Sequence, residues 1–241
     1  MGMTNTAVFA DGYDLPLDGF HGLLNGGSVH NVPLVIGSTK DEVKLFLWFS
    51  GEFRWDSEQY QSLGRFSSEL WKADGVDSIA RALTMRSGQA PVYAYLFGWG
   101  TPDENGESPL PGNWPLRLGS FHTLDIPFFL GTDTINGLLG SLWFSRRNRA
   151  SRENLSDAMI QYLASFVHSG NPNTGNEGLP EWEAWSNGEG APKSILFDVD
   201  GDRADITMTD REYTGAAIHE TMRSELSATL YSEVVSRLRP R

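Results

Sequence analysis

The chain has 241 residues, 39% hydrophobic and 21% charged, the balance of a folded globular protein rather than a disordered one. Its 31 acidic against 19 basic residues give a net charge of −12. That excludes the basic face of a nucleic-acid-binding protein and disfavours an anionic membrane surface.

Cysteine is absent, which removes disulfides, thiolate metal sites and cysteine nucleophiles together. No apolar run approaches the ~18 residues of a membrane helix. The start, Met1-Gly2-Met3-Thr4-Asn5-Thr6, lacks the basic and apolar regions of a signal peptide. A soluble, cytoplasmic protein is expected, with no membrane or nucleic-acid partner.

In chain order, the first clear element is Val32-Pro33-Leu34-Val35-Ile36-Gly37, an apolar run that reads as a strand buried on both faces. A short helix is expected over 42–49. Two more are expected over 56–73 and 76–86, broken near Asp74-Gly75. The run 91–97 places Val92, Ala94 and Leu96 on one face and Tyr93, Tyr95 and Phe97 on the other. Neither face suits water, so this is a central parallel strand. A long turn-rich stretch, 98–119, follows; loops of that length are often functional.

A helix over 151–168 is expected to open at Ser151 as N-cap and to stop at Ser169-Gly170-Asn171-Pro172. The run 194–198 reads as a third strand, turning at Asp200-Gly201-Asp202 into Asp205-Ile206-Thr207. From about Asp210 to Leu238 a single amphipathic helix is expected. Ile218, Met222, Leu226, Leu230, Val234 and Leu238 recur along it every fourth residue. Strands separated by helices give an α/β fold with a mostly parallel sheet flanked by helices. Functional residues in such sheets gather beyond the carboxyl ends of the strands.

Those positions hold Asp41-Glu42 after the first strand and Ser120-Phe121-His122-Thr123-Leu124-Asp125 at the end of the long loop. A carboxylate on one strand end and an imidazole near the next are placed to meet, and a histidine base needs such a partner to fix its tautomer. The position alone leaves a helix-capping role open for the acid.

The segment Val32-Pro33-Leu34-Val35-Ile36-Gly37-Ser38-Thr39-Lys40-Asp41-Glu42 resembles the "VPLLIGTNKDEG" segment of the type-B carboxylesterases, which include cholinesterases and para-nitrobenzyl esterases. Residues 91–99 are similar to the family's "PVYAYLFDW", 119–131 to "GAFHGSDLPFVFG", and 166–185 to "FARTGNPN…LPEWPAY". Asp11-Gly12-Tyr13-Asp14-Leu15-Pro16 is similar to a "DGxxLP" just upstream. Five matches in order cover nearly the whole chain. They imply that residues 1–241 form the carboxyl-terminal portion of an α/β-hydrolase domain that hydrolyses carboxylic esters without a cofactor. The resemblance makes Glu42 the triad acid, His122 the base, and Asp125 a carboxylate behind the histidine loop. Acid before histidine is the order of α/β-hydrolases. Val43 departs from the family, which has glycine there.

The triad nucleophile of that family sits in a G-x-S-x-G elbow, and this chain contains none. Gly26-Gly27-Ser28-Val29-His30 lacks the last glycine, and Gly106-Glu107-Ser108-Pro109-Leu110 lies in a proline-rich loop. The expectation is an acid–base pair awaiting its serine, with a complementary amino-terminal chain or self-association covering the strand edge left open. The alternatives are a non-catalytic, cholinesterase-like interaction module and an inactive fragment. Asp198, Asp200, Asp202 and Asp205 lack calcium-loop spacing and read as a hairpin turn. His21, His30, His168 and His219 lack metal-ligand spacing, so no metal is expected.

Overall fold

The computed structural model describes residues 11–13, 16, 17, 22, 24, 30–51, 54–132 and 143–238. The Met1 start, Asp14 and Leu15 of the 11–16 segment, and Gly26 to Val29 of the rejected serine motif lie outside them.

Side-chain alternation sets the frame. In order, the elements are β1 (Leu34–Thr39), α1 (Lys44–Ser50), α2 (Glu58–Lys72), a π-turn (Ala73–Asp77), α3 (Ser78–Thr84) and β2 (Val92–Phe97). Then come α4 (Trp114–Arg117), α5 (Ile126–Leu130), α6 (Arg149–Ser169), β3 (Ser194–Asp200), β4 (Arg203–Thr209), α7 (Gly215–Glu225) and α8 (Ala228–Leu238). The sheet order is β1-β2-β3-β4. The first three strands run parallel and β4 returns antiparallel as a hairpin, so the sheet is mostly parallel, as the sequence indicates.

The two faces of β2 divide the core as its pattern predicts. Tyr93 and Phe97 pack with Ile195, Phe197, Trp182 and the α6 residues Leu155, Met159 and Tyr162. Val92 and Ala94 pack with Val76, Ala80, Leu83 and Trp185. The indole of Trp182 donates to the Ala94 carbonyl at 3.0 Å. Gly37 of β1 lies flat beneath the Tyr95 ring, where a Cβ would come within 2.3 Å of ring carbons. Only glycine lets the two strands pair here.

β1 differs from its expected setting. Leu34, Val35 and Ile36 are half-buried, because β1 is an edge strand and among the described residues pairs only with β2. The opposite edge, β4, exposes Arg203, Asp205 and Thr207.

The sequence places a break between two helices at Asp74-Gly75. Instead the chain continues through the π-turn, and the reason is a buried ion pair. Lys72 and Asp77 are five positions apart, the spacing of the wide turn's own hydrogen bonds. Lys72 Nζ also donates to Ser194 Oγ at 3.0 Å, and Asp77 accepts the Tyr213 N–H at 2.7 Å. Burial pushes the lysine down and the aspartate up from their ordinary values, and their mutual attraction opposes both shifts.

Two further boundaries differ. α6 starts at Arg149 with Asn148 as N-cap, and Ser151 lies inside it, buried, with its hydroxyl donating to Asn148 O. The tail is not one helix from Asp210: residues 210–214 form no regular element, and the helix breaks after Glu225 where Leu226 turns extended. Ser227 then accepts the Leu230 N–H at the start of α8. The apolar row survives the break, with Ile218, Met222, Leu230 and Val234 packed on Leu63 and Phe66 of α2.

Breaking a buried pair leaves an uncompensated charge, whereas replacing both partners with apolar groups does not. Asp77→Ala is expected to cost about 3–5 kcal/mol in urea denaturation. Lys72→Met/Asp77→Leu is expected to cost much less.

Candidate active site

The chain leaves β1 and at once forms a cross-link. The Lys40 N–H donates to Phe97 O, and Asp41 makes an isolated parallel bridge with Phe121. Parallel register carries forward one residue, which sets Glu42 beside His122. The Asp41 carboxylate holds that register. It accepts the Ser120 N–H at 3.1 Å and the Thr101 hydroxyl at 2.5 Å, and pairs with buried Lys44 at 2.9 Å. Gly119 (φ +54°) makes room: a Cβ there would fall 2.0 Å from Asp41 Oδ2.

Glu42 is buried. Its Oε1 accepts the Thr39 N–H at 2.9 Å, and its Oε2 meets His122 Nδ1 at 2.5 Å. The carboxylate side chain is 6% exposed and the imidazole 35%, so the imidazole reaches the surface and its partner does not. A carboxylate only accepts, so Nδ1 carries a proton, and in the neutral ring Nε2 keeps its lone pair. Val43 takes an ordinary right-handed conformation (φ −81°) and donates its N–H to Ser68 Oγ, so the position needs no glycine.

The hydrogen bond to Glu42 raises the His122 pKa above its ordinary value. The charges of Glu42 and Asp125 add to this, and burial opposes it. Asp125 is the N-cap residue of α5, yet its side chain does not cap. It accepts the Tyr95 hydroxyl at 2.7 Å instead. Burial raises the Asp125 carboxyl and the Tyr95 phenol alike, so the phenol remains a donor.

The sequence names Glu42, His122 and Asp125; the structure places Glu42 in contact with His122, and Asp125 bonds Tyr95 and reaches His122 only through its charge. It leaves unannounced the roles of Asp41, Tyr95 and the Thr39 amide. Their signal is faint: an acid next to Glu42, a glycine near the histidine, and an aromatic opposite Gly37. Also unannounced are Phe46 and Trp71, whose rings lie 5.3 and 5.7 Å from the imidazole. Ser108 of the other rejected motif donates to Gly100 O and accepts from Leu110 N–H, the bonds of a turn. Asp198 pairs with Lys40 at 3.0 Å, and among the described residues no group of three metal-ligating side chains converges.

A mostly parallel sheet with an acid beyond one strand and a histidine beyond the next is the architecture of an α/β-hydrolase. The model of the carboxylesterase family matches residues 56–213, a span that holds His122 and Asp125 and begins after Glu42. The chain belongs to the carboxylesterase family. Among solved structures it is similar to PNB esterase, with 23% identity over 78% of this chain and 38% of that one, at a TM-score of 0.46. Another PNB esterase structure matches at 20% identity over 92% of this chain and 41% of that one, TM-score 0.46. The Geobacillus stearothermophilus carboxylesterase EST55 matches at 21% over 83% and 41%, TM-score 0.49. The chain thus spans 38% to 41% of the length of these proteins.

Thr123, directly after His122, has φ +73°, a left-handed conformation costly for a β-branched residue. The similar family segment carries glycine there. Thr123→Gly is expected to raise stability by about 0.5–1 kcal/mol, the relieved strain exceeding glycine's entropy cost; thermal denaturation checks this.

Because its pKa is raised, His122 contributes stability that is complete below the unfolded value of about 6.5 and lost as pH rises through the folded value. An NMR titration should find its midpoint above about 6.5, and Glu42→Gln should lower that midpoint and flatten the pH dependence of stability.

Proposed function

We propose that this chain supplies the acid and the base of a carboxylic-ester hydrolase, with Glu42 as the acid, His122 as the base and Asp125 as a supporting charge. The observation that carries the reading is the Glu42–His122 contact, with the carboxylate buried and the imidazole half-exposed. In this reading His122 Nε2 takes the proton of a serine hydroxyl as it attacks the ester carbonyl, then returns it to the leaving alcohol. Glu42 holds the tautomer and stabilises the imidazolium. Asp125 adds negative charge near the ring, fixed in direction by Tyr95.

The serine lies outside residues 1–241, because no G-x-S-x-G elbow occurs within them. On this reading residues 1–241 are the carboxyl-terminal part of one hydrolase domain, and the elbow-bearing polypeptide docks at the β1 edge. The uncharged run Leu34-Val35-Ile36 supports that choice of edge.

Triad members act as a unit. A fluorophosphonate probe applied to cells making this chain with an affinity tag is expected to label the tagged assembly at a serine outside residues 1–241. His122→Ala should abolish the labelling and lower ester turnover by roughly 10³-fold or more. Label on a serine within residues 1–241, or label and turnover indifferent to His122→Ala, would overturn the assignment.

A further inference from the structure

Arg117 differs from the other basic side chains near it. Lys40, Lys44, Arg65 and Lys72 each face a carboxylate, as expected in a chain with so large an acidic excess. Arg117 forms no ion pair with any described residue. Asp56, next to Trp55 in the chain, is held by two bonds from Arg54 at 3.1 and 2.8 Å.

Three indoles surround Arg117 instead. Its guanidinium carbon lies 5.1 Å from the Trp48 ring, 4.6 Å from Trp55 and 5.5 Å from Trp114. These rings come from α1, from the turn before α2 and from α4, so three separate segments converge on one cation. Nε is buried without a hydrogen-bond partner. The backbone beneath is fixed: Tyr60 donates its hydroxyl to Arg117 O, and Gln61 Nε2 donates to Leu116 O at 2.8 Å.

Stacking on indoles engages the face of a guanidinium, whereas its N–H donors lie in its plane. Trp48 and Trp114 lie at 63° to one another, so the rings enclose the cation from different sides; Nε is shut in among them, and the Nη groups are the donors left for a ligand. An open cavity of about 320 Å³ adjoins it, lined by Pro111, Gly112, Asn113, Trp114 and Arg117. Asn113 is the N-cap residue of α4, but its side chain makes no capping bond, which leaves its amide as a further donor. The place lies across α1 from the dyad. Phe46, on the imidazole, and Trp48, on the guanidinium, are two positions apart on that helix and so leave it on opposite sides.

We infer that Arg117, Asn113 and Trp114 form a binding site for a small planar carboxylate, an aromatic monoacid, distinct from the Glu42–His122 site. The carboxylate would take paired charge-assisted bonds from the guanidinium edge, and the ring would stack on Trp114. The cavity suits one ring and its acid group rather than a larger ligand.

Titration calorimetry on the full chain with benzoate, and with benzamide as its uncharged counterpart, tests the site. Benzoate is expected to bind saturably and quench tryptophan fluorescence, with benzamide roughly tenfold or more weaker. Arg117→Gln should lose a similar factor with an unchanged far-UV circular dichroism spectrum and a cooperative thermal unfolding transition, while His122→Ala keeps the full response. The site is refuted by absence of saturable benzoate binding up to ~10 mM, by equal binding of benzoate and benzamide, or by a folded Arg117→Gln that binds as before. Loss of binding in a folded His122→Ala would put the acid at the dyad and refute it equally. Should Arg117→Gln fail to fold, the benzoate–benzamide comparison on the unaltered chain decides.

Discussion

The Glu42–His122 contact depends on a neighbouring carboxylate. Asp41 joins the end of β1 to the segment carrying the histidine, through the Ser120 amide, the Thr101 hydroxyl and a buried lysine. Eighty residues separate Glu42 from His122, and a connection that long has no intrinsic reason to close on one geometry. The Asp41–Phe121 bridge closes it. Because backbone pairing has a fixed register, the contact of the next two side chains follows from it rather than from their own attraction.

Around this link the site is layered by burial. Glu42 and Asp125 are buried and the imidazole is half-exposed, so each carboxylate must be satisfied by the protein. Glu42 takes the Thr39 amide, and Asp125 takes the Tyr95 phenol. Tyr95 reaches Asp125 across a glycine that leaves its ring room to lie flat. Strand pairing, glycine placement and the electrostatics of the histidine are thus consequences of the same close approach between β1 and β2.

The sequence was legible where one periodicity decides the outcome. The two non-charged faces of residues 92–97 revealed a strand covered on both sides, and the four-residue apolar row of the tail revealed what packs on α2. It was illegible where a distant group overrides local preference. Nothing near Asp74-Gly75 announces that Lys72 finds Ser194, so the helix pair read as broken. Ser151 has the composition of an N-cap, but the chain before it is already helical from Arg149. The candidate site was visible as residue types in a familiar arrangement. The side chains that aim it were not, because Asp41 and Tyr95 act through contacts made across the fold.

The two rims of the sheet are chemically unequal. β4 presents alternating charged and hydroxyl side chains, which repel an incoming strand. β1 carries no charge from Leu34 to Thr39 and is only half covered. On the proposed reading, growth of the sheet has a direction: among the described residues the open, uncharged edge is β1, and the charged edge is β4. On that reading, a polypeptide that pairs with β1 meets the edge whose end, Thr39, leads into Glu42.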